Sequence, residues 1–234
     1  MLVTTASNVM KKIKYKARPS SVGNLFTQPK LKADREAGNL SQTAKSMLQL
    51  WVKEQIYERD FPFDGNKSME NGTISEDNSI EILENNSEFV GLKKNEVTFE
   101  NDWIKGTPDL VLEDKIIDIK TSFSGKTFPL FETEVTNQLY YYQLQAYMFL
   151  TGKKKAELVY VLGDIDETII LKEFNYSNSE DYDEFRKYYI YENIDSKYRI
   201  KRLEVEYDQD FEEELKETIN KAREYVEYLY EHKI

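Results

Sequence analysis

Residues 106–122 read GTPDLVLEDKIIDIKTS, two apolar runs joined by the charged tripeptide Glu113-Asp114-Lys115. This spacing predicts two neighbouring strands, 106–112 and 116–121, with a strand over 97–102 completing a meander. The period then changes: EVTNQLYYYQLQAYMFLTG reads as a long helix closing at Gly152, and AELVYVLG follows as a buried strand. A strand, a helix and a second strand in that order form the crossover that sets two strands parallel in one sheet. The segment therefore commits the chain to an α/β fold.

The flanks extend this reading. Ser41 is placed to cap a helix over TAKSMLQLWVKEQIYERD, with Ala44, Met47, Leu48, Trp51 and Ile56 on one face and Pro62 as its stop. A short helix is expected over ISEDNSIEILEN, with Ile74, Ile80 and Leu83 inward. After the crossover, TIILKEFNY reads as a further strand, 179–191 as a helix, 199–207 as a strand and 210–232 as a final helix. The first 38 residues, which contain Pro19, Gly23 and Pro29, read as a loose basic arm. Residues 39–234 read as a single domain with its core at about 72–165, and no internal repeat is visible.

Composition narrows the chemistry. The chain has no cysteine and one histidine, His232, so disulfides, thiolate metal sites and Ser-His-Asp catalysis are excluded. A metal would have to be held by oxygen, which favours magnesium, manganese or calcium. No apolar run approaches a membrane span, and the N-terminus lacks the charge order of a secretory signal, so a cytoplasmic location is expected. The net charge of -11 argues mildly against generic nucleic-acid binding. That charge is unevenly spread, however. Lys11, Lys12, Lys14, Lys16, Arg18, Lys30, Lys32 and Arg35 face only Asp34 and Glu36 in the first 36 residues.

Alternation along a strand puts Asp118 and Lys120 on one face and Ile117 and Ile119 on the other. Asp109 lies on the preceding strand, and a twisted hairpin brings both carboxylates within reach of one cation. Two aspartates and a backbone carbonyl make a hard-oxygen half-shell with room for water and a phosphate, as magnesium prefers. Lys120 beside it is placed to orient or deprotonate a water, or to stabilise charge on a phosphate. The bland alternative is an aspartate closing a turn and a surface ion pair.

Pro108-Asp109 followed by Asp118-Ile119-Lys120 resembles the signature of the PD-(D/E)XK nuclease superfamily. Two further segments strengthen the resemblance. Gly72-Thr73-Ile74-Ser75-Glu76 is similar to the G-x-x-x-E segment of phage recombination exonucleases, and Gln143-Leu144-Gln145-Ala146-Tyr147 to the Q-L-x-x-Y helix of RecB-type and phage exonucleases. The resemblance covers roughly residues 40–165. It implies a restriction-endonuclease-like core of helix, three-stranded meander, crossover helix and further strand, with an extra C-terminal strand and helices.

For function, the resemblance implies a nuclease dependent on Mg²⁺ or Mn²⁺ that hydrolyses DNA, as an exonuclease serving phage recombination or DNA processing. Asp109, Asp118, Glu76 and the Ile119 carbonyl would hold metal, Lys120 would be catalytic, and Gln143 and Tyr147 would position the site or the DNA. Thr121, Ser122, Lys126 and Thr127 are candidates for contacting DNA phosphate. The Ser124-Gly125-Lys126-Thr127 run is rejected as a nucleotide-binding loop, because the first glycine of that motif would fall on Lys120. An annealing protein and a homo-oligomer are candidate partners, and no membrane is expected. Two other readings stand beside this one: a non-catalytic DNA-binding or assembly subunit that keeps the fold, and an acidic mimic of DNA.

Overall fold

The computed structural model describes residues 13–61, 79–85 and 93–234. The chain enters through α1 (Pro19–Val22), a 3₁₀ turn (Gly23–Phe26) and α2 (Lys32–Glu36). Next comes α3 (Gln42–Tyr57), capped as expected: Ser41 Oγ accepts from Ala44 N at 3.0 Å. It ends before Pro62, through Glu58 in the left-handed conformation at φ 49°. Residues 79–84 form a helical segment, α4.

β1 (Phe99–Glu100) and β2 (Lys105–Gly106) pair antiparallel as a two-stranded ribbon. β3 (Leu110–Val111), β4 (Ile116–Ser122), β5 (Lys155–Leu162) and β6 (Ile200–Glu206) form the main sheet in the order β3-β4-β5-β6. The expected strand over 106–112 is thus split in two. Pro108 has no N–H to give a ladder, and Thr107, Pro108 and Asp109 stand between β2 and β3. The crossover is as predicted: α5 (Gln138–Thr151) leads from β4 to a parallel β5, with Asp118 opposite Leu158 and Lys120 opposite Tyr160. Gly152 closes α5 at φ 74°, a conformation that suits glycine.

Three expectations are corrected. TIILKEFNY is not a strand but α6 (Glu167–Asn175), started by Asp166, whose side chain accepts from Thr168 N. Its β-branched Thr168-Ile169-Ile170 suggested a strand, yet only Ile170 is fully buried, as helical spacing with an N-cap dictates. The expected helix over 179–191 shrinks to α7 (Tyr182–Arg186). Residues 13–26 are not loose, because Tyr15, Ala17, Val22 and Leu25 are each at most 4% exposed. They pack with Leu48 and Val52 of α3 and with Phe211, Leu215, Ile219 and Ala222 of the last helix, α8 (Phe211–His232).

The layers follow from these faces. Leu83 of α4 covers Leu110, Ile117, Ile119, Val159 and Val161 on one side of the sheet. Leu144, Tyr147 and Met148 of α5 cover Ile116, Ala156, Leu158 and Leu203 on the other. The far side of α5 presents Ala146, Tyr142 and Phe149 to the layer made by the N-terminal segment, α3 and α8. α5 is therefore the helix buried on both sides.

At the α4 face lies an ionic cluster. Glu157 of β5, 1% exposed, accepts two bonds from Arg202 of β6, each 2.9 Å, and one from Lys115 at 2.5 Å. Burial pushes the Glu157 carboxyl up, but the hydrogen bonds and charges of Arg202 and Lys115 outweigh it and hold it below its ordinary value of 4.5. A carboxyl depressed on folding stabilises the fold above its unfolded pKa, and the effect is lost as the pH falls through the lower folded value. Glu157→Gln should therefore cost about 2 kcal/mol at pH 7, less than a fully buried pair because Arg202 and Lys115 reach solvent. Urea titrations from pH 7 down to 3 should show wild type and variant converging below about pH 4.5.

Candidate active site

β4 delivers its residues to two opposite faces. Ile117 and Ile119 enter the core under α4, while Asp118 and Lys120 point toward α5. α5 answers with Gln143. Its Nε2 donates to Asp118 Oδ1 at 2.7 Å, and its Oε1 accepts from Lys120 Nζ at 3.3 Å. Lys120 Nζ also lies 2.7 Å from Asp118 Oδ2. Asp118 is 2% exposed, so this triangle of carboxylate, amide and ammonium is shut between sheet and helix on one side and opens through the half-buried Lys120.

Burial alone would depress the Lys120 ammonium. The Asp118 charge and hydrogen bond, with the charge of Asp109, overcome that and hold its pKa above the ordinary 10.5. The Tyr140 ring sits 5.0 Å from Lys120 Nζ and 6.3 Å from the ring of Tyr160. Burial pushes the Tyr160 hydroxyl up to about 12, with help from the nearby charges of Tyr140, Asp118 and Glu132.

The second acid is fixed differently. Asp109 Oδ2 accepts from the backbone N–H of Ile119 at 2.7 Å, which clasps it across the hairpin onto β4. Tyr147, one turn beyond Gln143 on α5, donates from its hydroxyl to the Thr107 carbonyl at 3.1 Å. Gly106 permits this approach: a Cβ there would meet Pro19 Cδ at 2.7 Å and the Tyr147 ring at 3.2 Å. Asn95, which the sequence reading missed, donates from its backbone N–H to the Asp109 carbonyl at 2.8 Å and from Nδ2 to the Pro108 carbonyl at 3.0 Å. A lone asparagine in a polar stretch carries no signal that would have found it.

The structure thus brings Asp109, Asp118, Ile119, Lys120, Gln143 and Tyr147 together. Glu76 lies outside the described residues. Thr121 Oγ1 is 2.7 Å from Ser79 Oγ and ties β4 to α4, and Ser122 is 7% exposed. Lys126 and Thr127 are exposed on a turn closed by the Thr127 N–H to the Ser124 carbonyl at 3.1 Å, and the Tyr191 hydroxyl accepts from Gly125 N at 2.7 Å.

A metal held here would meet hard oxygen donors, the two carboxylates and the strand carbonyl at Ile119. Among the described residues no group of three acids, histidines or cysteines is gathered closely enough to hold a metal. The residues present fit a divalent ion that keeps waters or phosphate oxygens in its shell, not a fully caged one.

No protein-family model matches the chain, and no curated protein matches it significantly. Solved structures do. A phage-related exonuclease from Haemophilus somnus 129PT superposes with a TM-score of 0.76 at 27% identity, over 95% of this chain and 98% of that one. LHK-Exo, an alkaline exonuclease from Laribacter hongkongensis, superposes with a TM-score of 0.59 at 15% identity, over 92% and 91%. Its complex with dAMP gives the same values. The fold is accordingly that of phage-related and alkaline exonucleases, the type that the Pro-Asp and Asp-Ile-Lys motifs resemble.

The electrostatics can be checked directly. Asp118→Asn removes the charge that opposes desolvation of Lys120, so the lysine pKa should fall below that of the wild type. A titration of the lysine Cε signals by NMR would read the shift, and an unmoved Lys120 would contradict the ion pair.

Proposed function

We propose that this chain is a divalent-metal-dependent nuclease acting on DNA, an exonuclease of the phage recombination type. One observation carries the reading: a buried aspartate and a lysine, bridged by Gln143, stand beside an aspartate clasped to the same strand. The likeness to the Haemophilus exonuclease over nearly the whole of both chains supports it. That a protein of the same fold binds dAMP favours deoxyribonucleotides as substrate.

Asp109, Asp118 and the Ile119 carbonyl are the described residues that would hold Mg²⁺ or Mn²⁺, with Glu76 as a further acid. A bound divalent ion would polarise the phosphoryl oxygen and acidify a water. The rest falls to the chain's own groups. Gln143 holds Asp118 Oδ1 and thereby leaves the carboxylate one orientation. Lys120, held against Asp118 and Gln143, is placed to stabilise negative charge as it develops on the phosphate or to act on the attacking water. Tyr147 holds the approach to Asp109 through the Thr107 carbonyl.

A cleft of about 620 Å³ adjoins the site. Lys14, Lys16, Arg18 and Lys105 line it, and it reaches Thr107 and Tyr147. Glu100 is paired there with Lys16 at 2.6 Å and with Lys105 at 3.3 Å, while Arg18 is 3.1 Å from Asp60. The cleft is the path we assign to the DNA backbone, and Lys126 and Thr127 remain candidates for phosphate contact at the exposed turn. Residues 39–234 and the lead-in from residue 13 that packs against them are proposed to act as one domain.

The reading is tested on linear and circular duplex DNA, with Mg²⁺ or Mn²⁺ and with chelator. Metal-dependent loss of linear DNA alone is expected; cutting of circles would make it an endonuclease. Lys120→Ala should slow cleavage by roughly 10²–10³-fold. Folded wild-type protein that cuts nothing with either metal would instead leave a DNA-binding subunit. For the cleft, Lys14→Ala with Lys105→Ala should weaken DNA binding and lower the salt-dependence slope by about 2.

A further inference from the structure

We propose that Asn95 is a positioning residue that sets Asp109 for metal, an assignment that rests on the nuclease reading above. The segment Thr107-Pro108-Asp109 belongs to no strand, and Pro108 has no N–H with which to join one. Its three successive carbonyls are all held from outside. Tyr147 Oη donates to Thr107 O at 3.1 Å, Asn95 Nδ2 to Pro108 O at 3.0 Å, and Asn95 N to Asp109 O at 2.8 Å. Asn95 therefore supplies two of the three.

Asn95 is itself braced. Nδ2 donates to the Val97 carbonyl at 3.0 Å, and Oδ1 accepts from the Val97 N–H at 3.1 Å. With both ends of its amide engaged, it has one usable rotamer and grips the main chain on both sides of the Pro108–Asp109 peptide. The Asp109 side chain then reaches the Ile119 N–H at 2.7 Å, so the acid is fixed at its backbone by Asn95 and at its carboxylate by β4. Groups that orient a metal ligand without touching the ion typically control affinity by 10–100-fold.

The test measures Mn²⁺ binding to the full chain, by electron paramagnetic resonance and by calorimetry without DNA, alongside DNA cleavage across a Mn²⁺ series. Asn95→Ala should weaken Mn²⁺ binding by about tenfold. It should also slow cleavage at low Mn²⁺, with recovery at excess Mn²⁺ and an unchanged KM for DNA. Asn95→Asp keeps the shape and the acceptor for Val97 but loses the donor to Pro108. A residue that was merely nearby would strengthen Mn²⁺ binding on gaining a negative charge; a brace predicts weakening. Wild-type affinity in Asn95→Ala, or tighter binding in Asn95→Asp, would overturn the assignment. Should Asn95→Ala unfold, the isosteric Asn95→Asp decides alone. If wild type neither binds Mn²⁺ nor cuts DNA, the nuclease reading fails first; if wild type does both and the variants match it, only the role of Asn95 fails.

Discussion

The arrangement of the whole molecule turns on one buried carboxylate. Asp118 is 2% exposed at the contact of a sheet and a helix, where an ion without partners would cost several kcal/mol. Gln143 and Lys120 supply those partners, and Gln143 can do so from one position on α5 alone. A rotation of the helix by one residue would bring Tyr142 or Leu144 against the carboxylate. The polar contact therefore fixes how α5 lies on the sheet, and Leu144, Tyr147 and Met148 fill the interface in the register that results. Since Tyr147 follows Gln143 by one turn, the same register carries its hydroxyl to the Thr107 carbonyl beside the second acid.

That dependence runs outward through the layers. Because α5 is buried on both sides, its placement also sets the seat of the N-terminal segment, α3 and α8. The glutamates of α8 lie on the side of that layer turned away from the sheet, since its buried face is Phe211, Leu215, Ile219, Ala222 and Val226. At the cleft, Lys16 and Lys105 pair with Glu100, Lys14 with Asp102, and Arg18 with Asp60 and Glu54, so bases and acids are interleaved there.

What the sequence made legible was periodic or stereotyped. The alternation of Ile117 and Ile119 against Asp118 and Lys120, the crossover from β4 through α5 to β5, and the four-residue spacing of Gln143 and Tyr147 all appear as read. Local signals failed where two of them competed. The β-branched run at Thr168–Ile170 outweighed the capping Asp166, and the basic residues around Arg18 hid the buried Tyr15, Ala17 and Val22 that make the segment part of the core. Asn95 was invisible for another reason. Its role depends on a backbone segment more than ten residues away that has lost its own ladder, and no local pattern encodes that.

The two acids of the site also hold the lysine beside them. Asp118 meets the Lys120 ammonium and the Gln143 amide, and Asp109 Oδ2 accepts from the backbone N–H of Ile119. The charges of Asp118 and Asp109 favour the ammonium form of Lys120 against the cost of its burial. Here the Tyr140 ring at 5.0 Å adds to the preference for the charged form. An incoming phosphate would meet a positive charge held in place by Asp118, Gln143 and the Tyr140 ring, and preorganisation of that kind lowers the cost of developing negative charge.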